Sequence, residues 1–143
     1  FDPKADGGDE AENTAMAKLA IDGQASTSWR TERYGKSASF NGRKPGVGLV
    51  LDLGAVKSVS SVKVTLAGAS NVEFRTPSGS DASMRSQADW TPQAASKAAS
   101  GEVVLAPAKP VSTRYVLVYL TALPDLGGGQ GFQGEIAEIV VMS

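Results

Sequence analysis

Two polar segments of this chain carry side chains whose types and spacing are suited to chemistry. The first contains an Asp22-Gly23 pair, followed by Thr27 and Trp29. An aspartate before glycine readily hydrogen-bonds the backbone of its own loop, and a tryptophan just beyond it can anchor that loop in a core. Glu138, an acid within an apolar terminal segment, is the candidate partner that closes the loop from the far end of the chain.

The second polar segment, residues 30–44, concentrates positive charge around Tyr34 and Phe40, and its one acid is Glu32. Guanidinium groups form paired hydrogen bonds with carboxylates or phosphates, and aromatic faces stack on sugar rings. The segment therefore predicts a site for an anionic ligand or a glycan, with binding residues Arg30, Arg33, Tyr34, Lys36 and Arg43. The alternative is a solvated loop whose aromatic residues pack in the core, which is the role that suits Trp29.

Several classes of chemistry are excluded by residue types that the sequence lacks. It contains no cysteine and no histidine, which removes thiolate nucleophiles, cysteine-based metal sites and Ser-His-Asp arrangements. No pair of acids is marked for glycoside hydrolysis, and no phosphate-binding glycine motif is present. The formal net charge of −1 provides no basic field for nucleic acid. The sequence thus predicts a protein that is not an enzyme and does not bind nucleic acid.

The elements that must position these residues have the pattern of short β-strands. Alternating apolar residues predict strands over 47–53, 58–66 and 71–76. In the first of these, one face carries Leu49, Leu51 and Leu53. Val59 is out of phase with the second strand, which predicts a bulge near Ser60-Ser61.

The rest of the chain continues this pattern. Residues 114–121 are apolar on both faces, as in a strand buried on both sides, and 134–142 form a closing strand after a glycine-rich loop. Residues 77–101 predict long loops around one or two short strands, docked on the core by Trp90. One helical turn is expected near 15–19. This organisation predicts an all-β antiparallel sandwich or jelly roll with little helix.

Residues 1–14 form an acidic lead-in, and residues 15–143 form a single domain in this interpretation. The lead-in is too polar to order itself, so we expect it to lie on the domain or to stay mobile, with Phe1 as its anchor. Its acids lack the spacing of a calcium loop and are interpreted as solvated charges: Asp6, Asp9, Glu10 and Glu12. Because the chain starts at Phe1 rather than Met, we expect it to be one domain of a longer protein.

Segments in order along the chain resemble the discoidin, or coagulation factor 5/8 type C, family. They are the Asp22-Gly23 to Trp29 loop, residues 48–54, the Val59-x-x-Val62-x-Val64 strand, residues 114–118 and Ala137-Glu138-Ile139. The resemblance implies a galactose-binding-like antiparallel β-sandwich that binds ligands and does not catalyse. Loops at one end of such a sandwich form the usual ligand site, which is where the resemblance places the basic segment.

A closer resemblance is carried by Phe1-Asp2-Pro3, Trp29-Arg30-Thr31 and residues 44–49. It is to the extracytoplasmic C-terminal domain of actinobacterial MviN/MurJ-type lipid II flippase homologues with a pseudokinase domain. This implies a place on the extracytoplasmic side of the cell membrane, in a membrane protein of peptidoglycan biosynthesis. The expected partner is then a glycan or a peptidoglycan precursor.

An alternative function follows from the same resemblance. The domain would then serve protein–protein interaction or structure in a membrane-anchored kinase or pseudokinase, with no small ligand. Its partner would be the parent protein's own membrane domain or a divisome protein. Exposed apolar residues on one sheet face would favour this alternative.

The discoidin resemblance also implies a structural calcium ion at the Asp-Gly loop. Its ligands would be the side chains of Asp22, Thr27 and Glu138, completed by carbonyls near Leu19, Gln24 and Ala137. Calcium prefers about six to eight oxygen ligands, and Gln24 stands where an acid is common in the family, which weakens the site. The alternative is a loop closed without metal, in which Asp22 and Glu138 accept hydrogen bonds from the loop itself.

Overall fold

Residues 1–79 and 85–143, which the computed structural model describes, form six strands and four short 3-10 helices. The strands are β1 Trp29–Arg30, β2 Val47–Val59, β3 Ser61–Pro77, β4 Trp90–Leu105, β5 Val111–Ala122 and β6 Glu135–Met142. The 3-10 helices are Lys4–Asp6, Thr14–Ile21, Phe40–Gly42 and Gln87–Asp89. The all-β antiparallel fold predicted from the sequence is confirmed.

β3 is the longest strand and takes part in both layers of the sandwich. Its first part, residues 62–66, pairs with β6 on one side and with the end of β4 on the other. Its second part, residues 71–75, pairs with β5 instead of β6, while β4 continues alongside. β2 extends the second layer by pairing with β5, and β1 extends the first by pairing with β6.

Gly68 lies where β3 passes from one layer to the other. Its φ is 79°, in the left-handed region that favours glycine. A Cβ atom at this position would lie 2.8 Å from the Cβ of Pro124. The register of β3 against β4 also shifts between Leu66 and Ser70. The bend therefore depends on the missing side chain.

The main core lies between the two layers and follows the predicted alternation. On β2, Leu49, Leu51 and Leu53 face this core, as predicted. β6 contributes Ile136 and Ile139 from the opposite layer. Apolar residues of both layers therefore close the sandwich from both sides.

A smaller outer cluster covers the other face of β5, which confirms that this strand is buried on both sides. Leu117 and Tyr119 point into it, together with Trp90 and Phe1. The ring centroid of Phe1 lies 5.8 Å from that of Trp90 and 6.0 Å from that of Tyr119, in edge-to-face geometry. Phe1 thus anchors the lead-in on the sandwich, as predicted.

The prediction for residues 77–101 underestimates their strand content. Residues 90–101 belong to the long strand β4, which pairs with β3 along most of its length, where long loops around one or two short strands were predicted. Alanine and serine have little β preference, so only the pairing with β3 makes this segment a strand. Residues 80–84, including Met84, fall in the same predicted loop and lie outside the described residues.

The bulge predicted near Ser60-Ser61 is a strand boundary. Val59 ends β2 opposite Val111 of β5, whereas Ser61 begins β3 opposite Met142 of β6. The change of phase arises because the two residues belong to different strands and different layers. The turn predicted at 15–19 is part of the longer helix Thr14–Ile21.

Candidate functional site

The Asp-Gly loop follows directly on the helix Thr14–Ile21, which packs against β6. Asp22 accepts hydrogen bonds from the Gln24 N–H (2.9 Å) and from the Thr27 hydroxyl. Glu138 of β6, which lies opposite Thr65 of β3, accepts from the Gly23 N–H at 2.9 Å. The structure thus brings together Asp22, Thr27 and Glu138, the three side chains that the sequence singled out.

These hydrogen bonds also set the electrostatics of the loop. The Thr27 hydroxyl and the Gln24 N–H hold the pKa of the Asp22 carboxyl below its ordinary value. The Thr27 hydroxyl lies 3.2 Å from the Gln24 carbonyl as well, so carboxylate, hydroxyl and carbonyl oxygens converge. An oxygen-only set matches the preference of calcium. The described residues contain no group of three or more acids, histidines or cysteines able to hold a metal, so two carboxylates carry the charge.

The basic segment forms the loop between β1 and β2 and packs on the glycine-rich loop before β6. Tyr34 and Phe132 exchange two backbone hydrogen bonds, with N···O distances of 2.8 and 2.7 Å. Gly131, at φ 92°, is so close that a Cβ would lie 2.7 Å from the Tyr34 carbonyl oxygen. The Asn41 side chain accepts from the Lys36 N–H at 2.8 Å and holds the turn. Both loops therefore form one end of the sandwich.

The cations of this loop differ in their environment. Arg33, Lys36 and Arg43 are exposed, and none of the ion pairs that the structure describes involves them. Arg30 is also exposed but lies 3.4 Å from the Glu135 carboxylate. The side-chain charges of Arg33, Lys36 and Arg43 are therefore available to an external anion.

Tyr34 is not on this surface, and its prediction as a binding residue is wrong. Its ring is buried in the main core and lies 5.1 Å, centroid to centroid, from Phe40. Its hydroxyl donates to the Glu12 carboxylate, 2.9 Å from Oε1. Trp29 and Phe40 are also fully buried, so the aromatic residues of this loop serve packing, as the alternative interpretation held.

A buried charge network lies beneath the loop and was missed in the sequence. The Lys44 ammonium lies 2.6 Å from Asp2 and 3.3 Å from Glu12, and its side chain is only 6% exposed. Glu12 also accepts from the Glu32 N–H (2.7 Å), while its carbonyl accepts from the Trp29 indole N–H (2.8 Å). The interpretation of Glu12 as a solvated charge is therefore wrong. No sequence pattern distinguishes Glu12 from exposed neighbours such as Glu10.

The network shifts the pKa values of its members. Burial raises the pKa of the Asp2 carboxyl, but hydrogen bonds from Lys44 and the Asp9 N–H outweigh it and hold that pKa below its ordinary value. For Lys44, burial lowers the pKa, and the hydrogen bond to Asp2 overcomes this and raises it. Burial raises the pKa of Tyr34. Lys44 and Asp2 are therefore both charged at neutral pH.

Solved structures similar to this chain include carbohydrate-binding modules, whereas no family model matches the chain. The CBM32 of AlyQ, in complex with 4,5-unsaturated mannuronic acid, has a TM-score of 0.64 and 17% identity, over 93% of this chain and 90% of that one. Chitosan-binding module 2 of a Paenibacillus sp. IK-5 chitosanase/glucanase, in complex with chitotriose, has a TM-score of 0.64 and 20% identity, over 94% and 92%.

The chain shares the antiparallel β-sandwich fold of these CBM32 modules. A GH29 fucosidase of Ruminococcus gnavus matches 88% of the chain at a TM-score of 0.62 and 17% identity, but the match covers 22% of the fucosidase. The chain therefore spans about a fifth of that enzyme's length. At these identities the CBM32 similarity shows the fold. No helix among the described residues is long and apolar enough to cross a membrane.

Proposed function

We propose that this domain is a non-catalytic binding module that recognises an anionic glycan through Arg33, Lys36 and Arg43. The observation that carries the proposal is the group of exposed cations without described ion-pair partners at one end of a CBM32-like sandwich. The loop offers no exposed aromatic ring for stacking, because Trp29, Tyr34 and Phe40 are buried. Recognition by charge and paired hydrogen bonds therefore favours carboxylate- or phosphate-bearing sugars over neutral ones.

Two structural neighbours support a glycan as the ligand class, since one is solved with an unsaturated mannuronic acid and the other with chitotriose. A peptidoglycan precursor carries both carboxylates and phosphates and fits the same chemistry. In this proposal the module belongs to a membrane protein of cell-wall biosynthesis and lies on the extracytoplasmic side. A calcium ion held by Asp22, Thr27 and Glu138 would support the fold and take no part in ligand chemistry.

The decisive experiment compares an acidic with a neutral oligosaccharide. We expect a mannuronate trisaccharide to shift the backbone NMR signals of residues 33–43 at millimolar concentration, and fully N-acetylated chitotriose, which carries no charge, to shift them less. Arg33→Ala should weaken binding of the acidic sugar by about tenfold, because it removes one charge-assisted contact of roughly 1.5 kcal/mol. Titration by NMR or calorimetry measures both effects.

Lys57→Ala is the matched control, since Lys57 is an exposed cation near the opposite end of β2. It removes the same charge from the molecule and should leave the affinity unchanged. Equal losses of affinity for Arg33→Ala and Lys57→Ala would mean that the net charge of the domain, and not a local site, determines binding. Absence of any shift in residues 33–43 with acidic sugars would contradict the proposal.

A second candidate function, protein interaction, is favoured by apolar residues on the outer face of the first layer. Val104 of β4 and Val140 of β6 flank Lys63 of β3 in one row across the sheet. Their exposed fractions are 56% and 39%. Docking of this face on a membrane domain or a divisome protein would be tested in the parent protein. Val140→Lys should then lower the melting temperature of the assembled protein but not that of the isolated domain.

A further inference from the structure

β2 has a free edge beside a groove that the glycan proposal does not use. β2 pairs with β5 along one side, and no strand in the described residues pairs with its other side. In an antiparallel ladder, successive residues direct their N–H and C=O groups alternately to the two sides. Gly48 directs both groups to the free side, so Val50 and Asp52 do the same.

Phe1 already makes the first contact of an added strand on this edge. The Phe1 nitrogen donates to the Gly48 carbonyl, and the Gly48 N–H donates to the Phe1 carbonyl at 3.0 Å. Two hydrogen bonds exchanged by one residue pair define an antiparallel pairing. Any residue joined before Phe1 in this register would lie opposite Leu49, and earlier ones opposite Leu51 and Leu53.

The groove lies where those added residues would place their side chains. Its volume is about 240 Å³, and one wall is formed by β2 residues 49–53. Ala17, Lys18, Ala20 and Ile21 form the opposite wall, with Ile139 also lining the groove. Ile21 is 58% exposed, so an apolar side chain of this wall is open to solvent. The groove is smaller than the roughly 300–1,000 Å³ of typical small-molecule sites, which suits a few aliphatic side chains better than a sugar.

We propose that this edge binds an extended peptide, which adds to β2 as an antiparallel strand in register with the Phe1–Gly48 pair. The backbone of the peptide bonds to Val50 and Asp52, and alternate apolar side chains enter the groove. The occupant is an extended apolar strand because unpaired edge groups call for a strand, and the pairing is continuous with Phe1. The remaining side chains lie on the opposite face of β2, toward the exposed Asp52, and are polar.

Tethering the peptide to Phe1 gives the sharpest test, because a short tether raises its effective concentration. The extension Thr-Val-Thr-Val-Thr-Val placed before Phe1 puts valines opposite Leu49, Leu51 and Leu53. We expect it to slow amide hydrogen exchange of Val50 and Asp52 by about tenfold and to raise the melting temperature. The reversed extension, Val-Thr-Val-Thr-Val-Thr, has the same composition but turns its valines to the opposite face of β2, away from the groove, and should produce neither change.

Two variants separate backbone pairing from groove filling. Val50→Pro removes the outward N–H, which a strand edge facing solvent tolerates, and should abolish the protection of Asp52 by the in-phase extension. Ile21→Asp should do the same by making the groove polar. Circular dichroism of the unextended variants checks that each retains the fold.

The outcomes decide between occupants. Equal protection by both extensions, or by neither, would overturn the proposal. Sedimentation of the unextended chain tests for a second copy on the same edge. Concentration-dependent dimers that protect Val50 and Asp52, and that Val50→Pro abolishes, would assign the edge to self-association and contradict the peptide proposal.

Discussion

At the scale of single residues, Glu12 is the acceptor on which the polar interior of this domain converges. Its carboxylate takes hydrogen bonds from the Tyr34 hydroxyl, the Glu32 N–H and the Lys44 ammonium, and it is only 3% exposed. Three donors would lose this acceptor together if the carboxylate were removed, and Lys44 would keep only Asp2. A single acid in a polar lead-in therefore holds the loop that carries the proposed binding residues.

We predict that Glu12→Ala destabilises the domain by about 3–5 kcal/mol, because it leaves the buried Lys44 charge and its neighbours incompletely paired. Urea unfolding measures the loss. Glu10→Ala is the control: Glu10 forms an exposed pair with Lys4 at 3.4 Å, and such pairs contribute about 0–1 kcal/mol. Similar stabilities of the two variants would show that the network does not hold the fold.

A second residue-scale prediction concerns calcium at the Asp-Gly loop. If Asp22, Thr27 and Glu138 hold the ion, calcium should raise the melting temperature by several degrees over the value in chelator. Saturation at 100 times the dissociation constant corresponds to about 2.7 kcal/mol. Asp22→Asn should abolish the difference.

Asp125→Asn is the matched control for calcium, since Asp125 also caps its own loop, through the Gly127 N–H at 2.8 Å. It should retain the full response to calcium. Superimposable melting curves of the unmodified domain with calcium and with chelator would instead favour the loop closed by hydrogen bonds alone.

At the scale of elements, β3 joins the two layers because one residue permits a sharp bend. Gly68 has both a positive φ and a close neighbour in Pro124. Gly101 of β4 has a similar φ of 70°, but no atom lies within 4 Å of the position of its Cβ. A side chain added at Gly101 would therefore meet only backbone strain, whereas one added at Gly68 would also meet Pro124.

We predict that Gly68→Ala costs more stability than Gly101→Ala. Gly101→Ala should cost about 1–2 kcal/mol, because alanine then occupies the left-handed region. Gly68→Ala should cost at least about 1 kcal/mol more, because the new methyl group would meet Pro124 and force the bend to shift. Thermal or urea unfolding provides the comparison, and equal losses would mean that the Pro124 loop moves away freely.

At the scale of the whole molecule, the lead-in ties the outer cluster to the binding end. Phe1 packs on Trp90 and Tyr119, Asp2 binds Lys44, and Glu12 binds Tyr34. One short segment thus contacts the outer face of one layer and the loop between β1 and β2. The charge of this network makes the stability of the whole domain depend on pH.

The pKa of Asp2 is lower in the folded protein than its ordinary value of 3.8. Asp2 therefore stabilises the fold fully above pH 3.8, and this contribution is lost as the pH falls below that value. We predict that Lys44→Met reverses this dependence. Without the ammonium group, burial raises the pKa of Asp2, and the variant should gain stability as pH falls from 7 toward 4. Urea unfolding across this range provides the measurement. A Lys44→Met variant whose stability stays constant or falls between pH 7 and pH 4 would contradict the network.

Much of this architecture could be predicted because apolar periodicity is a local signal. The alternation of Leu49, Leu51 and Leu53, and the apolar character of both faces of β5, identified core strands directly. β4 could not be predicted in this way, since its alanines and serines become a strand only through their bonds to β3. Val59 was assigned to the wrong strand because a tight crossing between layers looks like a bulge in sequence.

The sequence by itself determined that the chain is an all-β sandwich without histidine or cysteine chemistry, and that Asp22, Thr27 and Glu138 belong together. Tertiary structure decided which polar side chains reach solvent. Arg33, Lys36 and Arg43 remain exposed, while the side chains of Tyr34, Lys44 and Glu12 are buried. The reason is that residue type records the chemistry a side chain can perform. Whether it meets water or a buried partner depends on segments brought together from distant parts of the chain.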